Sequence, residues 1–268
     1  MAQEKWMIDG EKTIDIESVR NLKIALIGGQ VDVIGHDEPG ARIEVHSVDG
    51  KPLKVTLDGD TLEIDHPQLS WDNFIDVFMS FRGTARADVS IMVPRDVALK
   101  FGVISAKGLI SGLTKDAKIS TVSGDVVVDG VTADLDLNAV NGEIAVRDHR
   151  GNIVSHTVSG DVTVSGEVKR FHSDAVSGEV FLDVTGTPDE VRVKSVSGNV
   201  TVRLAAGVAA QYRVNTIAGR LQVDDSEIRG IRGQYTGKFG ELDGHWLDFT
   251  ASTVSGNIAV LHGSEVSA

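Results

Sequence analysis

Four carboxylates recur at one position of a repeated phrase, and they are the side chains of this chain best placed to do chemistry. Asp125, Glu143, Asp161 and Glu179 each follow a glycine, and Asn199 takes the same position one repeat later. If successive repeats stack about 4.8 Å apart, these side chains form a row. Like charges in register repel, and a divalent cation such as calcium, which takes several carboxylate oxygens, would relieve that repulsion. The alternative needs no cation, because exposed corner side chains splay into water and acidic residues are common in turns.

Basic side chains suggest a second candidate site. His149, His156 and His172 occur in neighbouring repeats but at different positions within them, so the spacing does not bring them together around a metal ion. Arg147, His149 and Arg150 form a small basic group that could hold an anion, although we expect an exposed loop there. The sequence therefore predicts solvated histidines, with no metal and no cofactor.

Catalytic motifs are lacking. The chain has no phosphate loop, no GxSxG and no HExxH motif, and without cysteine it has neither disulfides nor a cysteine metal site. Its formal charge of −13 argues against nucleic acid as a partner. We expect a non-enzyme. The alternative is a carbohydrate-active β-helix enzyme of the lyase kind, which would need Asp and Lys or Arg clustered in a cleft.

The phrase that carries the carboxylates is Val122-Ser123-Gly124-Asp125-Val126, and it recurs at intervals of roughly 18 to 21 residues. Such self-similarity predicts a stacked repeat architecture. An interval of about 18 residues is too short for a helical crossover but holds two or three short strands. The central glycines predict either a corner with positive φ or room for a neighbouring backbone. They are Gly124, Gly142, Gly160, Gly178, Gly198, Gly219 and Gly256, with a doubtful copy around Gly237.

The fold that this pattern predicts is an all-β, single-chain solenoid with about 18 residues per coil and its aliphatic side chains stacked inside. Residues 1–95 form an N-terminal β-rich cap with the first strands, continuous with a solenoid of about nine coils over residues 96–262, and residues 263–268 form a loose tail. Asp58-Gly59-Asp60 predicts a β-hairpin within the cap. The coils are expected to follow chain order, so the copy at Val254 closes the series and offers the free end.

An apolar stretch interrupts the cap, with a short helix predicted after Asp72. Its side chains either dock a partner or a membrane surface, or pack on the solenoid as a lid, which is the interpretation we favour because monomers rarely leave such patches bare. They are Trp71, Phe74, Ile75, Phe78 and Met79.

These features together resemble a known family. The spaced VSG(D/E/N)V copies, led in by a strand ending Met92-Val93-Pro94, resemble a bacterial β-helical family of unknown function that is often labelled putative adhesin. The resemblance covers roughly residues 20–262. It implies a single-chain, right-handed β-helix and a surface role, and it carries no catalytic residue that could be transferred.

The function that we expect is a non-catalytic scaffold or binding module. It would act through its flat faces or its ends, by contact with a protein partner or by self-association. The N-terminal residues are not followed by the apolar run of a signal peptide, and no stretch is long and apolar enough for a transmembrane segment. We therefore expect a cytoplasmic protein, without membrane insertion but able to make peripheral contact.

Overall fold

The computed structural model describes residues 3–67, 85–228 and 233–263. These residues form 24 β-strands and no helix, so the fold is all-β and solenoid-like. The chain divides into two compact units, Met1–Asp136 with Asn141–Glu143, and Leu137–Val140 with Ile144–Ala268. The predicted domain boundaries at residues 95 and 262 remain predictions.

The strands of the first unit are β1 (Glu4–Ile8), β2 (Lys12–Ile16), β3 (Asn21–Leu26), β4 (Gly28–His36), β5 (Ala41–Gly50), β6 (Leu53–Asp58), β7 (Thr61–Asp65), β8 (Ala85–Pro94), β9 (Ala98–Val103), β10 (Lys107–Ser111), β11 (Ala117–Thr121) and β12 (Val126–Asp129). Along the chain, β13 (Leu135–Ala139) leads from the first unit into the second. The strands of the second unit are β14 (Ile144–Thr157), β15 (Val162–Ala175), β16 (Val180–Val184), β17 (Glu190–Ser195), β18 (Val200–Leu204), β19 (Ala210–Thr216), β20 (Leu221–Val223), β21 (Ser226–Ile228), β22 (Gly233–Phe239), β23 (Leu247–Thr253) and β24 (Ile258–His262).

Two ladders of strands make up the first unit. One runs β1-β6-β7-β3-β9-β11 and the other β2-β5-β8-β4-β10-β12. The first two pairings of each ladder are antiparallel, and the remaining pairings are parallel. The predicted hairpin is confirmed, because Asp58 pairs with Thr61 and Gly59 has a φ of +63°. Both ladders are out of chain order, since β3 lies between β7 and β9 and β4 lies between β8 and β10.

The second unit is also threaded out of chain order. Its ladders run β14-β15-β17-β23-β19-β22 and β14-β15-β16-β18-β24-β20-β21, and the pairs are parallel until β22 and β21, which are antiparallel. The last strands of the chain, β23 and β24, therefore lie between earlier ones. The prediction that the Val254 repeat lies at the end is wrong, because the repeat around Ile217 lies beyond it.

The antiparallel strand β22 explains this insertion. It runs back along β19, so that Phe239 pairs with Ala210 at the beginning of β19. From there β23 runs parallel to β19 on its other edge, with Leu247 also opposite Ala210. The doubtful repeat around Gly237 is consequently not a repeat, since Gly237 pairs with Tyr212 in the antiparallel strand.

The interior is built from stacked aliphatic side chains. Gly108 pairs with Val126 and Ile144 pairs with Val162, in each case with the equivalent residue of the next repeat along the chain. Side chains two residues apart share a strand face, and Val126 and Val128 are buried as predicted. Aromatic side chains also occur in the core, among them the fully buried Phe101, Phe171, Tyr212 and Phe249.

Candidate functional site

The serine of the repeated phrase joins neighbouring repeats. In the second unit, the backbone amide and the hydroxyl of Ser177 both donate to the carbonyl of Val158, over 2.8 and 3.1 Å. Ser197 makes the same two bonds to Val176, and Ser255 makes them to Val196. Each repeat therefore adds a side-chain hydrogen bond to the ladder at this corner.

The glycine that follows is required for close approach of two backbones. A Cβ on Gly198 would lie far inside van der Waals contact with the carbonyl oxygen of Gly178, and a Cβ on Gly256 would meet the carbonyl of Gly198 in the same way. None of the predicted corner glycines is among the residues with positive φ. Of the two predicted explanations for this column, the structure therefore supports the room for a neighbouring backbone.

A buried hydroxyl forms a hydrogen bond on the inner side of the corner. The Thr157 Oγ1 donates to the carbonyl of Gly160 over 2.7 Å, and the amide of Gly256 donates to Thr253 Oγ1 over 2.9 Å. Such bonds satisfy backbone groups that the turn would otherwise leave buried without a partner. Where the small residue before the phrase is serine or threonine, its hydroxyl therefore holds the turn by a hydrogen bond.

The carboxylate after the glycine caps the next repeat. Asp161 Oδ1 accepts the backbone amide of Glu179 over 2.8 Å in the second unit. In the first unit, Asp125 Oδ1 accepts the amide of Glu143 over 3.4 Å. Asn199 Oδ1 accepts the amide of Asn257 over 3.2 Å by the same geometry. A neutral amide does the same work as a carboxylate, so this geometry needs no cation.

The described residues also contain no group of three or more His, Asp or Glu side chains that could hold a metal ion. The predicted row of four carboxylates divides between the two units, with Asp125 and Glu143 in the first and Asp161 and Glu179 in the second. Backbone capping therefore accounts for Asp125 and Asp161, while Glu179 accepts a bond from the side-chain amide of Asn199.

The first residue of each phrase forms an unpredicted apolar surface in the second unit. We call this surface the aliphatic ridge, and in spatial order it consists of Val140, Val158, Val176, Val196, Val254 and Ile217. The five valines are between 38% and 49% exposed, and the isoleucine is 73% exposed. Since the residues are one ladder step apart, the ridge is about 24 Å long. The prediction that all these valines line the interior is wrong at this position.

Side chains at the same position of the first unit are buried. Ile27, Ile104 and Val122 are at most 7% exposed and form a cluster with Ala25 and Ala85. The corner sequences are alike in both units, so the exposure of the ridge is not a requirement of the turn itself. The ridge is therefore a surface that the second unit presents without an intramolecular cover among the described residues.

An open groove lies at one end of the ridge. It has a volume of about 730 Å³ and lies beside Val254 and Ile217, with the buried hydroxyls of Thr216 and Thr253 and the ammonium of Lys194 in its lining. Its lining exposes more apolar than polar surface, as is usual for binding sites. The groove thus extends the apolar surface of the ridge.

The three predicted histidines do not converge. His156 lies 3.7 Å from Asp174, and His172 Nε2 lies 2.9 Å from Glu190, which holds the pKa of that carboxyl below its ordinary value. His149 is fully buried within the continuous strand β14, so the expectation of an exposed loop around Arg147, His149 and Arg150 is wrong. A β-bulge between Val146 and His149, where Asp148 has a φ of +48°, turns the side chain of His149 inward.

An Asp-His-Tyr arrangement closes the C-terminal strand of the second unit. His262 Nδ1 lies 3.0 Å from Asp224, and its Nε2 lies 3.2 Å from the hydroxyl of Tyr212. The imidazole also stacks on Phe239, with ring centroids 3.8 Å apart. Tyr212 is 1% exposed, and its burial raises the pKa of the phenol. A buried, protonated phenol is not a nucleophile. The arrangement is therefore structural, and its hydrogen bonds hold β24 in place.

A second buried histidine lies in the first unit. His66 is completely buried, and its Nδ1 accepts the backbone amide of Ile27 over 3.2 Å. Burial, with a smaller contribution from the charge of Lys51, lowers the pKa of His66 to about 4. Beside it, Asp65 forms an ion pair with Lys54 over 2.7 Å, and burial raises the pKa of Asp65. The neutral imidazole of His66 therefore takes the place of a backbone acceptor for the amide of Ile27.

The predicted partner patch lies outside the described residues. It consists of Trp71, Phe74, Ile75, Phe78 and Met79. In the part of the chain that the structure describes, no helix is long and apolar enough to cross a membrane.

The fold and the corner geometry define an all-β, solenoid-like repeat protein. The chain belongs to the family described as Toastrack DUF4097, whose model matches residues 19–261. This confirms the resemblance inferred from the VSG(D/E/N)V copies. None of the curated proteins matches the chain.

Solved structures are similar to this chain at low sequence identity. A crystal structure named "putative lipid binding protein" from Parabacteroides distasonis ATCC 8503 is 14% identical, covers 94% of this chain and 97% of its own, and has a TM-score of 0.55. A "putative adhesin" from the same strain is 14% identical, with coverages of 98% and 97% and a TM-score of 0.45. A "putative adhesin" from Bacteroides fragilis NCTC 9343 is 11% identical, with coverages of 94% and 97% and a TM-score of 0.44. At these identities the likeness concerns the fold alone.

Proposed function

We propose that this protein is a non-catalytic binding module that contacts another protein along the aliphatic ridge of its second unit. The observation that carries the proposal is the ridge itself, in which six aliphatic side chains stand exposed in register. Single exposed apolar residues are ordinary on protein surfaces, but a contiguous apolar row marks an interaction site. Valine suits this role because its single preferred rotamer leaves little side-chain entropy to lose on binding.

The absence of catalysis is part of the proposal. Carboxylates around the ridge are used as caps or in ion pairs, as Asp161 caps Glu179 and Asp174 lies 4.0 Å from Lys194. The Asp-His-Tyr arrangement has its phenol buried. These hydrogen bonds and ion pairs support a structural role for the polar side chains and a binding role for the apolar ones.

The detailed architecture also belongs to this proposal. We take the chain to form right-handed coils of about 18 residues, with the antiparallel strands β1, β2, β5 and β6 as a cap at the N-terminal end. The offset of 18 positions between Asp161 and Glu179, which bond across neighbouring repeats, supports that coil length. In such an architecture a ridge with one residue per coil forms wherever the corner residue is apolar and left uncovered.

Affinity capture tests this function. The wild-type chain, the triple variant V158S/V176S/V196S and a control variant are immobilised and exposed to extract of the native host, supplemented with an untagged copy of the chain itself. The control is M7S/I34S/V154S, which replaces three apolar residues that are 51%, 42% and 39% exposed and do not belong to the ridge. We expect the ridge variant to retain at least about tenfold less of a specific protein, since each truncated anchor costs roughly 1 kcal/mol, while the control retains as much as wild type. Equal retention by all three chains would refute binding through the ridge.

A further inference from the structure

The spacing of the aliphatic ridge restricts what can pack against it. Its side chains repeat at one ladder step, about 4.8 Å. Residues on one face of a β-strand are about 6.6 Å apart, and residues four apart on a helix rise by about 6 Å. The side chains of a strand or helix laid along the ridge therefore lose register with the ridge side chains within a few residues. A second ridge of the same kind has the same spacing and can stay in register with it along its whole length.

A polar row runs beside the ridge and carries a gradient of charge. Hydrogen bonds between repeats fix its spatial order as Asp161, Glu179, Asn199, Asn257 and Arg220. The row is therefore negative at one end, neutral in the middle and positive at the other end. Arg220 is well placed to meet a carboxylate, because it is 77% exposed and its ion pair with Glu227 is loose, at 3.9 Å.

Two copies of the ridge can face each other with either of two symmetry axes. An axis across the ridges, in the plane of contact, makes them antiparallel and sets the two polar rows on the same side. With Val196 at the axis, Asp161 of one copy then faces Arg220 of the other. An axis along the ridges makes them parallel and sets each polar row against the opposite flank, where His156, Asp174 and Lys194 follow one another and the charge alternates. Attraction at both ends of the ridge thus favours the antiparallel contact.

We propose that the ridge binds a second copy of this chain in an antiparallel, two-fold symmetric contact with Val196 at its centre. This rests on the proposed function, for which it names the partner. The two Lys194 side chains approach each other near the axis, and at 66% exposure they can turn away into solvent. A ridge one residue wide buries much less than the roughly 800 Å² per partner of a standard interface. The dimer is therefore weak, with a Kd between about 10 µM and 1 mM.

Single cysteines test the arrangement directly, because the chain has none of its own. The variants V196C, V158C and I217C are purified separately, checked for native circular dichroism and oxidised at about 100 µM, near the expected Kd. V154C is the control, since Val154 is an exposed valine outside the ridge. An axis at Val196 places that residue opposite itself and places Val158 opposite Ile217, within the Cα separation of about 4.4–6.8 Å that a disulfide needs.

We expect V196C to form a covalent dimer at least about tenfold faster than V154C, given the effective concentration that a specific contact provides. V158C alone stays monomeric, and an equal mixture of V158C and I217C forms the mixed dimer. If V158C alone cross-links as fast as V196C, the contact is parallel and the proposal is overturned. It is also overturned if V196C does not exceed V154C, or if sedimentation velocity of wild type shows only monomer up to about 1 mM. When these results coincide with ridge-dependent capture of a different protein, the proposed function stands and only the second copy as partner is refuted.

Discussion

The backbone amide of Glu179 donates to Asp161 Oδ1 across 2.8 Å, although the two residues are 18 positions apart in the chain. The same bond is made by Asp125, Asn199 and Asn257, which explains why Asp and Asn recur after the glycine of the repeat. The side chain completes the ladder where the turn would leave an amide without a partner. The most regular charged feature of the sequence is thus part of the framework.

Replacing the capping side chain tests this role. We expect D161A to lower the free energy of unfolding by about 1 kcal/mol, because it leaves the Glu179 amide without its acceptor. D161N should lie within about 0.5 kcal/mol of wild type, since an amide oxygen accepts the same bond, as Asn199 does. Urea denaturation of the three chains measures the difference. If D161N is as destabilised as D161A, the negative charge matters more than the cap.

Calcium provides the complementary test of the same row. Calorimetric titration of the wild-type chain with calcium should give no binding heat, and the Tm should not shift, because Asp125 and Asp161 already accept backbone amides and the described residues contain no cluster that could hold a metal ion. A saturable heat that D161N abolishes would restore the cation hypothesis.

The glycine column should tolerate no side chain. We expect G198A to cost at least about 3 kcal/mol, because the new Cβ collides with the carbonyl of Gly178 and neither backbone can yield without breaking the ladder. G244A is the matched control in the same unit, since a Cβ there meets nothing within 4 Å and its φ is not positive. Its unfolding free energy should change by less than about 0.5 kcal/mol. Similar losses in both variants, measured by thermal unfolding, would show that close backbone approach is not the reason for the column.

The buried His66 predicts a dependence of stability on pH. Its pKa in the folded chain is about 4, below the ordinary value of 6.5. As the pH falls below 6.5, His66 takes up a proton in the unfolded chain but not in the folded chain. The free energy of unfolding therefore decreases until the pH reaches about 4. The total loss is about 3 kcal/mol. Protonation would also remove the acceptor of the Ile27 amide.

Comparing wild type with H66Q isolates this contribution. Urea unfolding at pH 7 and at pH 4.5 should show a smaller decrease for H66Q, because glutamine offers an acceptor and does not titrate in this range. An identical decrease in both chains would assign the acid sensitivity to other groups.

The out-of-order threading of the second unit predicts an unusual response to truncation. If repeats were stacked in chain order, deleting the last one would only shorten the stack. Here, ending the chain at Trp246 removes β23 and β24 and leaves β17 and β18 without the strands that join them to β19 and β20. We expect the second unit to lose its cooperative unfolding, as followed by circular dichroism and amide proton exchange. A truncated chain that keeps protected amides in both β17 and β19 would contradict the threading.

Much of the repeat was predictable from the sequence because local periodicity determines it. The valine pair at Val126 and Val128, the hairpin around Gly59 and the corner at Gly198 all follow from alternation and turn residues, and the structure has each of them. The order of the repeats was not predictable. Every copy pairs equally well with every other, so the position of β24 depends on the reversal at β22, which no repeat encodes.

The aliphatic ridge was missed although a local signal existed. Alternation from the buried Ala175 places Val176 on the outer face, and a strand interior would continue with a buried residue where Ser177 stands. Hydrophobicity alone suggested an interior valine. Whether such a corner is covered depends on distant parts of the chain, as the buried Val122 of the first unit shows.

Use of the ridge as a binding surface is measured most directly in cells of the native host. A photo-reactive amino acid is placed at Val176, in the ridge, or at Val154, which is 39% exposed and lies outside it. On irradiation, the chain altered at position 176 should yield discrete covalent adducts with protein, and the chain altered at position 154 should yield none above background. Equal yields at the two positions, or no adduct at either, would contradict the role assigned to the ridge.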